Sequence, residues 1–268
     1  MVTRMNRIEK RLQQVQEKGE KAFITYITAG LPDMEGCAEL IKAQEEAGLD
    51  VLELGIPFSD PVADGPVIQA ASYKSIQQGT NLRKVFDMVA KLREDGCELP
   101  IVFMMYFNTV LHYGIEAFAT KCAEAGVDGV IIPDLPYEEQ EQVQVILDKT
   151  ENAPLLLQLI TPISKQRIPM LVEKARGFVY CISSMGVTGQ FADFHRDVLA
   201  YLQEVKKESK VPVMMGFGIR TAKDVLPMKD TIDGCIVGSH FIKLLEASNY
   251  DLEKAKEYIS TFKKELNA

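Results

Sequence analysis

Residues 52–66 read LELGIPFSDPVADGP and hold three carboxylates in a short span: Glu53, Asp60 and Asp64. Glu53 interrupts the apolar run Val51-Leu52-Glu53-Leu54, which has the composition of a buried strand. Asp and Glu are almost never fully buried unless paired, since an ionised carboxylate in apolar surroundings costs several kcal/mol or shifts its pKa. Glu53 therefore has two readings. It lies on the wet face of a surface strand, or it is an acid–base group tuned by burial. Asp64 follows in a turn-rich loop. Asp60 precedes Pro61, where an aspartate also serves simply to form the turn.

The other residue types narrow the chemistry. None of the apolar runs along the chain contains Lys, His or Arg. A Schiff-base aldolase needs a desolvated lysine, and a zinc aldolase needs histidine ligands. Five cysteines (Cys37, Cys97, Cys122, Cys181, Cys235) and three histidines show no CxxC pair and no metal-ligand spacing. They read as free thiols of a reducing compartment, with no metal and no cofactor expected. The formal charge of −8 argues against nucleic acid or an anionic membrane surface as partner. The amphipathic start MVTRMNRIEKRLQQVQEKGEK lacks the apolar centre of a signal peptide, and no run reaches membrane-spanning length, so a cytoplasmic protein is expected.

The elements that must position these groups come from hydrophobic periodicity. Eight short runs, Ala22–Thr28, Val51–Leu54, Ile101–Tyr106, Gly129–Ile132, Leu155–Ile160, Gly177–Ile182, Val211–Met215 and Gly234–Val237, are apolar without strict alternation, as strands buried on both faces are. Helical patterns separate them. The one over Asp33–Ala47 has Asp33 as its cap and Gly48 as its stop. Others cover Lys165–Ala175 and Thr221–Met228, and Arg4–Glu17 adds a helix at the front. Eight βα units over 268 residues predict one α/β domain, a (β/α)₈ TIM barrel with an extra N-terminal helix. A doubly wound open sheet is the alternative, and no GxGxxG follows the first strand to support it. The segment EAGxD occurs twice, at 46–50 and 124–128, as a local helix-to-strand turn without assigned function.

A barrel places catalytic groups at the C-terminal ends of its strands. Long loops are expected after the second strand, about Gly55 to Thr80, and after the sixth, Ser183 to Ala192. Glycine-rich tips follow the last three strands: Gly186-Val187-Thr188-Gly189, Gly216-Phe217-Gly218 and Gly238-Ser239. Glycine lets backbone N–H groups approach an anion, and a helix N-terminus favours it, so these tips predict a phosphate site. What remains near the strand ends is Tyr106, Tyr180 and the apolar Phe23, Met104, Ile131, Ile160, Phe217 and Ile236. Together they describe an aromatic or apolar substrate with a phosphate at one end, although each apolar residue also reads as core.

LELGIPFSDPVADGP, followed by Ile68-Gln69, closely resembles the signature of the tryptophan synthase alpha chain family. So do FITYITAG at 23–30, MYFN at 105–108, PDLP at 133–136, GVTG at 186–189, GFGI at 216–219 and VGS at 237–239, all in family order. The resemblance implies a lyase that reversibly cleaves indole-3-glycerol phosphate to indole and glyceraldehyde 3-phosphate in tryptophan biosynthesis. It implies Glu53 and Asp64 as the catalytic carboxylates, with Tyr180 as a site tyrosine. Gly189, Gly218, Gly238 and Ser239 match phosphate binders, and Thr188 matches a loop threonine that contacts the aspartate. Phe23, Met104, Tyr106, Ile131, Ile160, Phe217 and Ile236 fall at indole-pocket positions. Asp60 and Pro61 match the loop that faces a beta chain, the partner in an α2β2 heterotetramer. The chain departs from some members in carrying Ser184-Met185 where they have Arg-Ala. Two other readings have their own markers: an interaction subunit that chiefly activates a partner, supported by the acidic loop at 57–70, and another phosphate-binding barrel of the pathway, whose strand-end lysine is missing here.

Overall fold

A computed structural model describes residues 5–182, 191–216 and 218–268. Its strands are β1 (Ala22–Thr28), β2 (Val51–Gly55), β3 (Ile101–Met104), β4 (Gly129–Ile131), β5 (Leu155–Leu156), β6 (Gln158–Ile160), β7 (Val179–Ile182), β8 (Val213–Gly216) and β9 (Gly234–Val237). All pair in parallel, in the order β5-β4-β3-β2-β1-β9-β8-β7-β6. The two ends of that order are halves of one segment. The Leu157 amide donates to the Val130 carbonyl at 2.9 Å, while Gln158 to Ile160 pair with β7. The expected fifth run thus turns from one neighbour to the other at Leu157 and closes the ring, with helices between successive strands, a TIM barrel.

Successive residues of each strand alternate between two cores. Leu52, Leu54, Phe103, Val130, Cys181, Met215 and Val237 join the large core shared with the helices. Ile24, Val51, Val102, Ile131, Tyr180, Met214 and Ile236 fill the barrel interior. Ile8, Leu12 and Val15 belong to that interior core as well, on the buried face of the helix Arg7–Glu17. This helix starts with a capping box between Asn6 and Glu9 and closes the N-terminal end of the barrel. A Cβ at Gly129 would come within 2.9 Å of the Ile8 side chain, so the strand is bare where the helix rests on it.

The EAGxD repeat has a structural use at that same end. Gly126, at φ 79, ends its helix in the left-handed conformation. The aspartates then reach the neighbouring strand. Asp50 accepts from the Phe23 amide at 2.8 Å and Asp128 from the Ile101 amide at 2.9 Å. Asp233, in a segment without the motif, accepts from the Val213 amide at 2.7 Å. Asp50 and Asp128 are buried, and each is paired with cations. Arg11 and Lys263 hold Asp50, while Arg7 and Arg93 hold Asp128. Arg7 and Arg11 come from the N-terminal helix, so the plug is pinned by charge around its rim and by apolar contact at its centre.

Three expectations are corrected. The segment after β2 is not one long loop, because a helix, Pro66–Gln77, occupies most of it, with proline in its first turn. The third run ends at Met104, and Tyr106 caps a helix, Phe107–Tyr113. Over Thr221–Met228 there are two 3₁₀ turns, Ala222–Asp224 and Leu226–Met228. Thr221 and Asp224 cap each other across the first, and Pro227 removes an amide a continuous helix would use.

The plug makes a testable contribution. Leu12→Ala removes buried side chain from the centre of the interior core and should cost about 2–5 kcal/mol. A urea midpoint that falls accordingly, with turnover per folded molecule unchanged, is the expected result.

Candidate active site

Glu53 is the central residue of β2 and points into the barrel. Its register partners are Tyr26 on β1 and Val102 on β3. It is 2% exposed, and its Oε1 has no hydrogen-bond partner. Burial, reinforced by the charge of Asp64, pushes its carboxyl up to about 8. The wet-face reading of Glu53 is thereby excluded.

Asp64 comes from the loop between β2 and the helix Pro66–Gln77. Tyr106 donates its O–H to Asp64 Oδ2 at 3.0 Å and accepts from the Ala63 amide at 2.9 Å. The Asp64 amide donates to the Pro61 carbonyl at 3.1 Å, and Gln69 donates to the Asp64 carbonyl at 2.8 Å. Phe58 stacks on Tyr106 with ring centroids 5.0 Å apart, so the loop folds over an aromatic post at the end of β3. Burial raises the Asp64 carboxyl above the usual range, and the Tyr106 bond works against that rise.

Tyr180 stands on β7 and is raised well above its ordinary value, first by burial and then by the charges of Glu53 and others. A Cβ on Gly216 would lie 2.3 Å from its ring, so the tyrosine leans over the bare backbone of β8. Met104, Ile131 and Ile236 face the interior beside it. Gly218 has φ 78 and is exposed. Gly238 caps the helix Ser239–Ala247, whose first residue, Ser239, is exposed at the same end of the barrel. Asp60 is exposed, with Pro61 half-buried next to it, and the neighbouring Val62 is 85% exposed. Thr188, Gly189 and Phe217 lie outside the described residues.

Two expected pocket residues point the other way. Phe23 stacks on Phe262 at 4.1 Å beneath the helix Leu252–Leu266, and Ile160 belongs to the outer core. Strands buried on both faces carry no polar alternation to mark which parity faces inward. The interior residues beside them are Ile24 and Leu159, and Tyr26 faces inward higher on β1. Tyr26 is a residue the sequence reading passed over. It is 5% exposed inside the mouth of the barrel, and burial together with the charges of Asp64 and Glu53 raises its hydroxyl. The signal for it was present: a buried tyrosine needs polar surroundings for its tip, and its own run offers only threonine hydroxyls, that of Thr28 beside it.

The arrangement sets two carboxyls with raised pKa values, three tyrosines and an apolar floor at the C-terminal mouth, opposite the plugged end. Among the described residues no group of three His, Cys, Asp or Glu is placed to hold a metal ion. The five cysteines are buried thiols.

A sequence model of the family described as Tryptophan synthase alpha chain matches residues 12–268. This chain belongs to that family. A tryptophan synthase alpha chain from Lachnospira eligens is 63% identical over 264 residues, covering 98% of this chain and 100% of its own. Its counterpart from Alkaliphilus metalliredigens is 42% identical, covering 98% and 97%. The crystal structure of tryptophan synthase subunit alpha from Legionella pneumophila superposes with a TM-score of 0.88 at 33% identity, covering 98% of each chain. A chain of tryptophan synthase from M. tuberculosis, in an open form, has a TM-score of 0.85 at 29% identity, with 97% and 98% covered.

The buried carboxyl has a stability signature. A carboxyl raised by folding binds its proton more tightly in the native state, so stability falls as pH rises from about 4.5 to about 8. Glu53→Gln removes that cost. Its melting temperature should equal the parent's near pH 4 and exceed it by several degrees above pH 7, in scanning calorimetry across that range.

Proposed function

We propose that Glu53 and Asp64 are the acid–base pair of this lyase. As a tryptophan synthase alpha chain, the protein catalyses reversible retro-aldol cleavage of indole-3-glycerol phosphate to indole and glyceraldehyde 3-phosphate in tryptophan biosynthesis. The observation that carries the assignment of roles is the meeting of the two carboxyls in one desolvated mouth, each raised by burial.

The reaction needs three proton movements. Indole C3 gains a proton so that the ring leaves as a neutral aromatic. The indole N–H, which develops positive charge, needs a carboxylate, and Asp64 supplies one from the loop, with its orientation fixed by the Tyr106 hydroxyl. The hydroxyl on the departing chain loses its proton as it becomes an aldehyde. A carboxyl titrating near neutrality can be protonated when it meets C3 and ionised when it accepts the hydroxyl proton, so Glu53 serves both steps. Met104, Ile131, Ile236 and Tyr180 form the wall against the ring. The phosphate is placed at Gly218, Gly238 and Ser239, where the helix Ser239–Ala247 begins and its amides and dipole favour an anion. Thr188, Gly189 and Phe217 are assigned to the same ligand on sequence alone. The chain needs no cofactor in this scheme.

An alpha chain works with a beta chain, and we place that contact on the loop with Asp60, Pro61 and the exposed Val62, in an α2β2 heterotetramer. Indole is apolar and lost readily to membranes, so a lyase that makes it gains from docking onto the enzyme that uses it. No helix among the described residues is long and apolar enough to cross a membrane. The cytoplasm is the proposed location.

Glu53→Gln should leave the fold and phosphate binding intact and lower turnover by about 10²–10⁴-fold. Indole release from indole-3-glycerol phosphate measures it, and near-parental turnover by the folded variant would remove Glu53 from the mechanism. The loop prediction is separate. Asp60 and Asp64 share one short loop, so a partner that orders it also positions Asp64. Adding a beta chain should raise indole formation severalfold, and Asp60→Ala should weaken that activation more than it lowers the activity of the chain alone. Binding without any change in turnover would disprove the coupling.

A further inference from the structure

Tyr26 and Glu53 are register partners on adjacent strands, and both point into the barrel. The tyrosine ring leans across the next residue of β2 with the same facing, Gly55. A Cβ there would lie 1.9 Å from the Tyr26 hydroxyl and 2.4 Å from Cζ. The hydroxyl therefore occupies the space in which residue 55 would carry a side chain, one pleat above Glu53 on the same face of the same strand. Glycine at 55 is what admits it. Glu53 Oε1, on the same face of the strand, is buried and without a partner, and its charge is felt by the Tyr26 hydroxyl. An acceptor so placed, next to a phenol whose only charged neighbours are carboxylates, is an incomplete contact.

We propose that Tyr26 is a positioning residue for Glu53: its hydroxyl, seated over Gly55, donates to the open Glu53 oxygen in the step where that carboxyl is ionised. The proposal rests on the acid–base role given to Glu53 above and adds to it the group that orients the carboxylate. The groups facing Glu53 are Tyr26 on β1, Tyr180 on β7 and Asp64 on the loop, with Tyr106 behind Asp64. Among the described residues none of these is a cation, so a phenol is the donor available to balance the ionised form. The Thr28 hydroxyl, next inward-facing on β1, contributes to the tyrosine's surroundings.

The contact has two states. While Glu53 is protonated, its own O–H is free for the substrate carbon, and the tyrosine is no more than a neighbour. Once the proton has gone, the carboxylate would stand unpaired in an apolar mouth. A single O–H···O⁻ bond then holds it toward the departing hydroxyl instead of letting it turn away.

Tyr26→Phe removes one oxygen and keeps the ring. With ¹³C-carboxyl-labelled glutamate, the Glu53 signal is identified by its loss in Glu53→Gln and followed against pH. A hydrogen bond to the charged form favours that form, so the variant should titrate about one pH unit higher than the parent. In indole-3-glycerol phosphate cleavage, kcat should fall about tenfold with KM within about twofold, and the alkaline limb of the pH profile, where Glu53 loses the proton it gives to C3, should move up with the titration. Gly55→Ala, which drives the hydroxyl from its seat, should give the same displacement. The double variant should show less than the product of the two effects. An unmoved Glu53 titration in both single variants overturns the proposal, as does a rise in KM with kcat and the titration unchanged, which would make Tyr26 only a wall of the pocket. If Glu53→Gln itself proves active, the catalytic assignment fails, and the titration still decides whether Tyr26 meets Glu53.

Discussion

A carboxyl without a counter-charge, closed inside the mouth of a barrel, is the constraint around which this molecule is organised. Glu53 cannot be left there by accident. The neighbours that bury it are the same strands whose outward residues build the main core, so moving the carboxyl into water would mean opening the ring. The cost of its burial is set against the large apolar area on both faces of β2. That is why an acid titrating near neutrality is affordable in a protein of this size and would be ruinous in a small domain.

The two ends of the barrel divide their work accordingly. At the N-terminal end the buried carboxylates among the described residues are paired: Asp50 with Arg11 and Lys263, Asp128 with Arg7 and Arg93. These aspartates also bond the amide at the start of an adjacent strand, which fixes the relative height of β1 and β2 and of β3 and β4. Strand height decides which residues share a level inside the ring, and so decides that Tyr26 stands beside Glu53. At the C-terminal end Glu53 and Asp64 have no cation paired with them among the described residues, and the side-chain bond that holds Asp64 comes from the phenol of Tyr106. The same residue type is structural at one end and, in the proposed mechanism, reactive at the other because its partners differ.

The sequence made much of this legible, and what it hid has physical causes. The eight apolar runs, the cap at Asp33 and the odd placement of Glu53 could all be read directly, because each is a local signal. The parity of Phe23 and Ile160 could not, since a strand covered on both sides alternates apolar with apolar. The helix Pro66–Gln77 was hidden behind the turn residues that precede it, whose chemistry masks a helix beginning at Pro66. The aspartates of the EAGxD repeat looked like turn formers until the neighbouring strand was in place. Gly55 and Gly216 are legible only in three dimensions, as the absence of a Cβ where a tyrosine from the next strand leans across.

The proposed acid–base pair is divided between a strand and a loop, and that division has a consequence for control. Glu53 is fixed by the sheet ladder on both sides, so its position changes only if the barrel does. Asp64 is held by a phenol, by one backbone bond within its own turn and by a glutamine from the following helix. Those contacts are few and lie near solvent, which is the character of the low-stability, movable part of a fold. Chemistry that needs both carboxyls is then conditional on the loop alone. The exposed residues just upstream, Asp60 and Val62, belong to that same short segment. A surface that binds them acts on Asp64 through a few covalent bonds and needs no path through the core. The proposed coupling between partner and catalysis follows from the placement of one aspartate on a loop and one glutamate on a strand.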